Sequence, residues 1–216
     1  MRIAVVGGTG SFGRALAKRL GDAGYEVVIG SRDAERAHAA AEELGVAGAT
    51  NADAVRAADL VVLATKADGV LATARELRSV IGATPVLSVA AELHFSPRGV
   101  LPTAEASSIA ERIQAELDAP VVAGLHSLAA SNLGGDDLAD EDTLVCGDHA
   151  VAKELVLELA EHLTIGRAID AGPLASARAL EGMTAVIVNV NKRYKAHVGL
   201  RVVGLSTTHL TGPDKR

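Results

Sequence analysis

A glycine-rich turn near the start of the chain has the spacing of a phosphate-binding loop. Gly8, Gly10 and Gly13 form a Gly-x-Gly-x-x-Gly pattern. The turn follows an apolar run at residues 3–6 and opens a helical pattern at residues 12–20. In a strand–turn–helix unit, these glycines make the tight turn, admit a pyrophosphate and let the helix pack closely on the strand. The position of the turn therefore predicts a dinucleotide site, with the helix N-terminus facing the phosphates.

The end of the second apolar run, residues 26–29, distinguishes between the two nicotinamide dinucleotides. An NAD site places a carboxylate there, which bonds the ribose hydroxyls and would repel the 2′-phosphate of NADP. Here Ser31 offers a hydroxyl and Arg32 a guanidinium, with Arg36 one helical turn further on. Asp33 has two interpretations, a displaced ribose carboxylate or the first residue of a helix, and the second is favoured. The sequence therefore predicts NADP.

Few reactive side chains follow the other predicted strands. Lys66, Glu92 and His126 come after apolar runs, where ligands lie in a doubly wound sheet. Lys66 and Glu92 are interpreted as solvated residues. For His126, a ligand contact and a structural hydrogen bond remain open. The neighbouring residues are small and uncharged, which favours space for a flat molecule stacked on the nicotinamide.

Several other chemistries lack the residues that they need. Short-chain dehydrogenases use a Tyr-x-x-x-Lys pair, but Tyr25 and Tyr194 are the two tyrosines and neither precedes a lysine at that spacing. No His-x-x-x-His metal motif and no Gly-x-Ser-x-Gly nucleophile motif is present. Cys146 lies in an apolar run and is interpreted as a core residue. No metal site is predicted.

Two charged clusters have no assigned chemistry. The acidic residues between 136 and 142 are interpreted as a solvated loop. Lys192, Arg193 and Lys195, together with Arg201, form a basic cluster. This cluster has two interpretations, a contact for an anionic substrate tail or a solvated helix end favoured by the helix dipole.

The overall composition fits a single α/β domain. The 216 residues are 49% hydrophobic and only 2% aromatic, so the core must consist of small aliphatic side chains, as in buried parallel sheets. A net charge of −6 disfavours sequence-independent nucleic-acid and anionic-membrane binding. One cysteine and no long apolar run predict a cytoplasmic protein that acts on small molecules.

The elements that must position these residues alternate along the chain. Their order predicts a doubly wound, parallel Rossmann sheet with a small C-terminal helical extension. Helix N-caps are predicted at Ser107 or Ser108 and at Asn51 or Asp53. Strands are predicted at residues 3–6, 26–29, 60–64, 85–89, 121–125 and 143–146, and helices at 12–20, 34–44, 70–80, 109–117 and 150–163.

The chain is predicted to comprise three parts. Residues 1–172 form the dinucleotide-binding domain, residues 173–205 a C-terminal helix and closing segment, and residues 206–216 a flexible tail. The final helix is predicted at residues 175–192, and its centre is apolar nearly all round. Such a helix must be covered, which predicts that it packs on the sheet and also forms a homodimer interface.

Together these motifs resemble the family of coenzyme F420-dependent NADP oxidoreductases. In that family a hydride passes reversibly between the nicotinamide and an 8-hydroxy-5-deazaflavin, with the two planar rings stacked, so catalysis depends mainly on juxtaposition. Residues 93–105 match the family poorly, and no contact is inferred there. The segments that carry the resemblance are residues 7–10, 30–32, 125–126, 145–148 and 170–174, followed by Ser176 and Arg178.

The resemblance implies a set of site residues. His126 is implied to lie beside the deazaflavin as a candidate contact. The residues implied to bind NADP are Thr9, Gly10, Ser11, Phe12, Ser31, Arg32, Arg36, Ala67, Leu71, Ala130 and Val198.

Two alternatives remain open for the function. The first is an NADPH-dependent reductase of a small imine, ketone or ferric chelate, and the second is a non-catalytic NADP-sensing protein.

Overall fold

The computed structural model describes residues 1–205 and has alternating strands and helices. The predicted tail at residues 206–216 lies outside the described residues. The strands are β1 (Arg2–Val6), β2 (Glu26–Ser31), β3 (Ala47–Thr50), β4 (Leu60–Leu63), β5 (Val86–Ser88), β6 (Leu93–Ser96), β7 (Gly99–Pro102), β8 (Val121–Gly124), β9 (Thr143–Gly147) and β10 (Ala168–Asp170). The helices are α1 (Ser11–Asp22), α2 (Ala34–Leu44), α3 (Asn51–Val55), α4 (Ala67–Ile81), α5 (Ile109–Glu116), α6 (Ala130–Leu133), α7 (Ala150–Ala160) and α8 (Ala177–Tyr194).

Within the described chain, eight strands form the main sheet in the order β10-β9-β8-β5-β4-β1-β2-β3. The order reverses next to β1, as in doubly wound folds that bind a ligand at the carboxyl ends of their strands. The α/β fold class is therefore confirmed. The sheet is mostly parallel, as predicted, but the prediction fails at β9, which runs antiparallel to β8, while β10 runs parallel to β9.

The core has two layers, one on each face of the sheet. Alternate residues of β1 supply both layers, with Ile3 and Val5 on one face and Ala4 and Val6 on the other. Helices α1 and α7 cover the first face, and α3, α4 and α5 cover the second. The chain buries these small aliphatic side chains as its composition predicts, so the sheet is a rigid support for the loops at its edge.

Four strands within residues 1–205 have no counterpart among the predictions from sequence. Strand β3 is short, and Gly48 is needed because a side chain there would clash with the backbone of α2. Strand β10 has three residues. Strands β6 and β7 form an antiparallel hairpin over residues 93–102, whose side chains are largely exposed. None of these segments has the continuous apolar run of a buried strand.

The helix starts follow their capping chemistry. Ser108 caps α5 in a capping box with Glu111, as predicted. For α3, the predictions of Asn51 or Asp53 are wrong, because the Thr50 hydroxyl accepts the hydrogen bond from the Asp53 backbone N–H. Threonine belongs to the same group of good N-cap residues, so the correction moves the helix start by one residue.

The final helix is preceded by a short 3₁₀ turn, Leu174–Ser176. The helix α8 packs mainly on the hairpin and α5, and its residue Leu180 joins the second core layer. Buried Glu181 accepts hydrogen bonds from the backbone N–H groups of Ile109 and Ala110, at 2.9 and 3.1 Å. This carboxylate thereby binds the N-terminus of α5 and fixes α8 next to the edge of the sheet.

Across residues 1–205, no helix combines the length and apolar character needed to cross a lipid bilayer. The same residues contain no group of three or more histidine, cysteine, aspartate or glutamate side chains able to hold a metal ion.

Candidate active site

The glycine turn connects β1 to α1 in the geometry that a phosphate site requires. Gly7 has a φ of +80°, a conformation that glycine adopts without strain. The Gly10 N–H donates to the Gly7 carbonyl at 3.1 Å, and Gly10 then caps α1 without any side-chain hydrogen bond. The first turn of α1 contains no acidic residue. The N–H groups at the start of α1 are therefore available to an anion.

The third glycine of the motif is required by packing. A Cβ atom at Gly13 would lie 2.7 Å from the Gly7 carbonyl oxygen and equally close to the Gly8 Cα. A side chain at this position would therefore push α1 away from the turn. The close approach that the spacing predicts is present in the structure.

A cavity of about 520 Å³ lies beside the glycine turn, at the ends of β2 and β4. Ser31 is nearly buried in its wall, whereas the guanidinium groups of Arg32 and Arg36 are exposed at its mouth. Two positive side chains near a helix N-terminus suit a phosphate group. The structure brings together five residues predicted to bind NADP, namely Thr9, Gly10, Ser31, Arg32 and Arg36.

Asp33 acts as the N-cap of α2. One carboxylate oxygen accepts hydrogen bonds from the backbone N–H groups of Glu35 and Arg36, at 3.0 and 3.2 Å. The Asp33 N–H donates in turn to the Ser31 hydroxyl at 3.2 Å. The carboxylate is thus used by the helix, which supports the favoured interpretation of Asp33 over a ribose carboxylate.

Two polar side chains of the cavity were not singled out as ligand contacts from the sequence. Asn51 at the start of α3 and Thr65 after β4 each bury an oxygen atom that has no hydrogen-bond partner within residues 1–205. Buried polar atoms in proteins are nearly always paired, so both oxygens fit a cavity that takes a polar ligand. The position of Thr65 at the carboxyl end of a strand was the signal that could have identified it.

Ala67 and Leu71, both in α4, lie beside this cavity but not in its lining. Their side chains are half-buried against the second core layer. Ala67 also lines a neighbouring cavity of about 450 Å³, between α4 and the hairpin. Ala67 therefore lies where the two cavities meet, and the contacts of Ala67 and Leu71 with NADP stay a prediction.

A line of three cavities follows the carboxyl edge of the sheet. The cavity beside the glycine turn shares Lys66 and Asp68 with the cavity between α4 and the hairpin. That second cavity shares Glu92 with a third of about 470 Å³, which lies between the hairpin and α8. Neighbouring cavities share lining residues, and we call the row of three the groove; its second and third cavities offer space for another ligand next to a bound dinucleotide.

His126 follows β8, beside Leu180 and Met183 of α8, and is only 7% exposed. Its Nε2 lies 3.2 Å from the Ala90 carbonyl oxygen, and a carbonyl only accepts, so Nε2 carries the proton. Burial lowers the pKa of His126 to about 4, although the bond to Ala90 opposes this shift. The imidazole is therefore neutral at physiological pH. The structural hydrogen bond is present, and the deazaflavin contact stays a prediction.

The residue before His126 has an unusual backbone. Leu125 has a φ of +65°, which is uncommon for a residue with a side chain. This conformation turns the chain sharply out of β8, and the His126 carbonyl then accepts a hydrogen bond from Thr184 of α8 at 3.0 Å. Backbone conformations of this kind cost energy and persist only where the surrounding structure holds them. They cluster at functional sites.

Ala130 begins α6, which packs against the dinucleotide helix α1. Buried Arg19 of α1 donates to the backbone carbonyls of Leu133 and Gly135, at 3.0 and 2.5 Å. Ala130 and Phe12 both pack against the first core layer, at the starts of their helices. Ala130 and Phe12 thus lie at the starts of two helices that pack against each other, and exposed Ser11 precedes Phe12; their contacts with NADP stay a prediction.

Val198 follows α8 in an extended segment, and its N–H donates to the Asn191 side chain at 2.8 Å. The neighbouring His197 ring lies 3.0 Å from the Ser131 hydroxyl of α6. The structure therefore brings the segments of Val198 and Ala130 together at one side of the site.

Residues 136–142 are predicted to form a solvated loop, and this prediction is wrong for the last two residues. Glu141 and Asp142 are buried, and Asp142 forms an ion pair with Arg167 at 2.6 Å. Burial raises the pKa of Asp142, but hydrogen bonds from Arg167 and from the Val202 N–H outweigh it and hold the pKa well below its ordinary value. Burial raises the pKa of Glu141. A run of charged residues is normally exposed to solvent, so its burial can be predicted only when the buried partner is known.

The remaining sequence interpretations have mixed outcomes. Cys146 is fully buried, and burial raises the pKa of its thiol to about 12, so its assignment to the core is confirmed. Lys66 is exposed, as expected. Glu92 is instead paired with Arg112 at 2.6 Å. In the basic cluster, Lys192 lies 5.1 Å from the centre of the Phe95 ring.

The chain matches known proteins over most of its length. Residues 2–92 match the family model described as NADP oxidoreductase, coenzyme F420-dependent. The F420-dependent NADP reductase of Methanothermobacter thermautotrophicus is 35% identical, over 95% of this chain and 96% of that protein. The enzyme of the same name from Methanocaldococcus jannaschii is 32% identical, over 95% and 99%.

A solved structure from Arthrobacter sp. FB24 has the same fold throughout. It is described as a candidate F420-dependent NADP reductase and superposes with a TM-score of 0.82 at 30% identity, over 94% of this chain and 99% of that one. The glycine turn, the basic cavity and the groove thus occur in a chain whose relatives match it from end to end. This protein belongs to the family of coenzyme F420-dependent NADP oxidoreductases.

Proposed function

We propose that this protein catalyses the reversible transfer of a hydride between NADP(H) and the deazaflavin coenzyme F420. Membership of a family whose curated relatives are named F420-dependent NADP reductases supports this function. The observation that carries the proposal is the groove, which runs from a basic phosphate cavity into a space able to take a second ligand.

The residues of the chain act mainly by binding and orientation. The N–H groups of Ser11 and Phe12, with Thr9 and Gly10, hold the pyrophosphate at the start of α1. Ser31, Arg32 and Arg36 bind the 2′-phosphate. Ala67 and Leu71 support the cofactor along α4, and Ala130 and Val198 bound its nicotinamide end.

Hydride transfer between two stacked rings needs no nucleophile from the protein. NADPH would supply the hydride, and the deazaflavin would take it together with one proton from solvent, which leaves NADP⁺ and the reduced deazaflavin. His126 is neutral and buried, so its proposed contribution is to shape the wall beside the deazaflavin rather than to donate a charge. Juxtaposition of two bound rings is an effective source of rate acceleration.

The test is to mix the protein with NADPH and oxidised coenzyme F420 and to record the visible absorbance of the deazaflavin. We expect bleaching with NADPH and much slower bleaching with NADH. Turnover of a small imine, ketone or ferric chelate without bleaching would support a different NADPH-dependent reductase. Tight NADPH binding with no turnover of any acceptor would indicate an NADP-sensing protein, and both results would contradict the proposal.

We also propose that the chain acts as a homodimer in the cytoplasm, on small-molecule cofactors and without nucleic acid or membrane. Residues 1–172 bind the dinucleotide, and residues 173–205 close the site and carry the dimer contact. Val186 of α8 is 60% exposed, and Phe95 and Leu101 of the adjoining hairpin are also exposed. Exposed apolar side chains on adjoining elements support a protein interface, which would lie at the margin of the groove.

Light scattering tests the dimer. We expect the mass of two chains for the wild-type protein and of one chain for Val186→Asp, because a charge at the centre of an apolar interface is not solvated. Val151→Asp is the control, since Val151 is an exposed residue of α7, away from this surface. A monomeric wild-type protein would contradict the proposal.

A further inference from the structure

The last two strands of the sheet bring distant residues to its functional edge. Because β9 runs antiparallel to β8, its first residue, Thr143, lies where the parallel strands have their carboxyl ends. Strand β10 runs parallel to β9 and begins at the same edge. Asp142 and Arg167, which immediately precede these strands, therefore lie on the side of the sheet where the ligand groove runs.

Asp142 and Arg167 hold the segment that follows α8, residues 196–205, which we call the C-terminal strap. The Arg167 guanidinium bonds both carboxylate oxygens of Asp142 and donates to the strap carbonyls of Val202 and Leu205. Asp142 accepts a hydrogen bond from the Val202 N–H at 2.8 Å, and its own N–H donates to the Leu200 carbonyl. The strap is thus fixed through four backbone contacts to one ion pair.

The buried position of Asp142 makes these contacts necessary. Asp142 is completely buried, and its carboxylate stays ionised because Arg167 and the Val202 N–H satisfy it. A buried charge that loses one partner is strongly unfavourable. The strap carbonyls complete the set of acceptors around Arg167, so strap and ion pair stabilise each other.

The strap also contacts α6, the helix that begins at Ala130. The Asn132 side chain donates to Glu141 at 3.1 Å, and Gly199 of the strap packs directly on the Glu141 carboxylate. His197 of the strap meets Ser131 of α6 at 3.0 Å. The segments of Ala130 and Val198 are therefore joined through buried Glu141, half-buried Asn132 and an exposed contact between His197 and Ser131.

We propose that Asp142 and Arg167 are positioning residues for hydride transfer, which hold the strap so that Val198 and Ala130 fix the nicotinamide against the deazaflavin. This inference rests on the proposed function. The two residues touch neither cofactor and act through the strap and α6. They determine how closely the two rings approach, whereas the adenosine end of NADP is held separately by Arg32 and Arg36.

The first test is Arg167→Met. We expect the single-turnover rate of deazaflavin reduction to fall about 10- to 100-fold, the range expected for a misplaced reacting ring. The dissociation constant of 2′,5′-ADP, which occupies only the adenosine end, should not change. Arg167→Lys should recover part of the rate, because an ammonium group restores the ion pair but not all the strap contacts.

A second variant leaves the ion pair intact. Gly199→Ala adds a Cβ atom that overlaps the Glu141 carboxylate, so the strap must move away. We expect the same fall in hydride-transfer rate with unchanged binding of 2′,5′-ADP. The matched control is Val203→Ala, since Val203 lies in the strap but its side chain is 94% exposed, and its rate should equal that of the wild type.

The outcomes separate this inference from the proposed function. If the wild-type protein does not reduce the deazaflavin, the proposed function itself is wrong. If the wild type is active and Gly199→Ala keeps the wild-type rate, the positioning role is overturned, even where Arg167→Met fails to fold. Parallel losses of rate and of 2′,5′-ADP binding would overturn it as well, because they indicate a general structural role.

Discussion

The two ends of the dinucleotide site use charge in opposite ways. At the phosphate end, Arg32 and Arg36 are exposed, and neither side chain forms an ion pair within residues 1–205 that would have to be released before phosphate binds. At the proposed nicotinamide and deazaflavin end, His126 is buried and neutral, and Asp142 is buried and paired with Arg167. The first end is built for attraction of an anion, and the second is built to hold its shape. Affinity and ring geometry should therefore respond to different mutations.

The largest expected effect concerns the buried imidazole of His126. Its pKa is lowered from 6.5 to about 4, so the folded protein binds fewer protons than the unfolded chain between these values. The stability that neutral His126 provides is complete above pH 6.5 and is lost as the pH falls toward 4. We expect the free energy of unfolding to decrease by about 3 kcal/mol across this interval.

Chemical denaturation at a series of pH values measures this effect against His126→Gln, which keeps a donor for the Ala90 carbonyl but does not titrate. The wild type should lose more stability than the variant between pH 6.5 and 4. Equal slopes would mean that the imidazole is not held neutral, and the contrast between the two ends would fail.

The next effect belongs to the phosphate end. Arg32→Ala should weaken NADPH binding by about 1.5–3 kcal/mol, the value of a hydrogen bond to a charged group, and leave NADH nearly unchanged. Calorimetric titration with both dinucleotides measures the difference. Arg56→Ala is the matched control, because Arg56 is an exposed arginine paired with Asp53 on the adjacent helix. Equal losses for NADPH and NADH would contradict the assignment of the 2′-phosphate to Arg32.

The smallest effect is expected at Ser31. Ser31→Ala removes a neutral hydroxyl that also accepts from the Asp33 N–H, so NADPH binding should weaken by about 0.5–1.5 kcal/mol. The same titration ranks it against Arg32→Ala. A larger loss at Ser31 than at Arg32 would show that the hydroxyl, and not the guanidinium, distinguishes the two dinucleotides.

The same contrast explains what could be predicted from sequence. The phosphate end depends on neighbours in the chain, since Gly8, Gly13, Ser31 and Arg36 lie within one strand–helix–strand–helix unit. Glycine spacing and the type of residue after a strand are local signals. The structure accordingly brings Ser31 and Arg36 to one cavity with Gly7 and Gly10 of the glycine turn.

The nicotinamide end depends on residues that are far apart in the chain. Nothing local in residues 143–147 indicates that β9 runs antiparallel, because strand direction is set by the pairing and not by the apolar run itself. Without that reversal, Asp142 would lie at the opposite edge. The burial of Asp142 against Arg167 therefore cannot be predicted from the sequence, in which the acidic residues before Asp142 resemble an ordinary solvated loop.

The hairpin of β6 and β7 was missed for a different reason. Its strands are four residues each and mostly exposed, with Val100 the buried exception, so they carry no strong hydrophobic pattern. Its position depends on α8, where the Asn189 side chain bonds the Val100 N–H and carbonyl, at 2.8 and 2.6 Å. Such a segment is specified by its partner helix.

The reversed strand also affects the order in which the molecule folds. The contacts of the phosphate end close within the first 81 residues, whereas the contact between Asp142 and Val202 must close a loop of 60 residues. Longer loops lose more chain entropy on closure, and contacts of this kind form late. We therefore expect the strap to exchange its amide hydrogens faster than β1 and β4, as a separate unit that opens before the rest of the sheet.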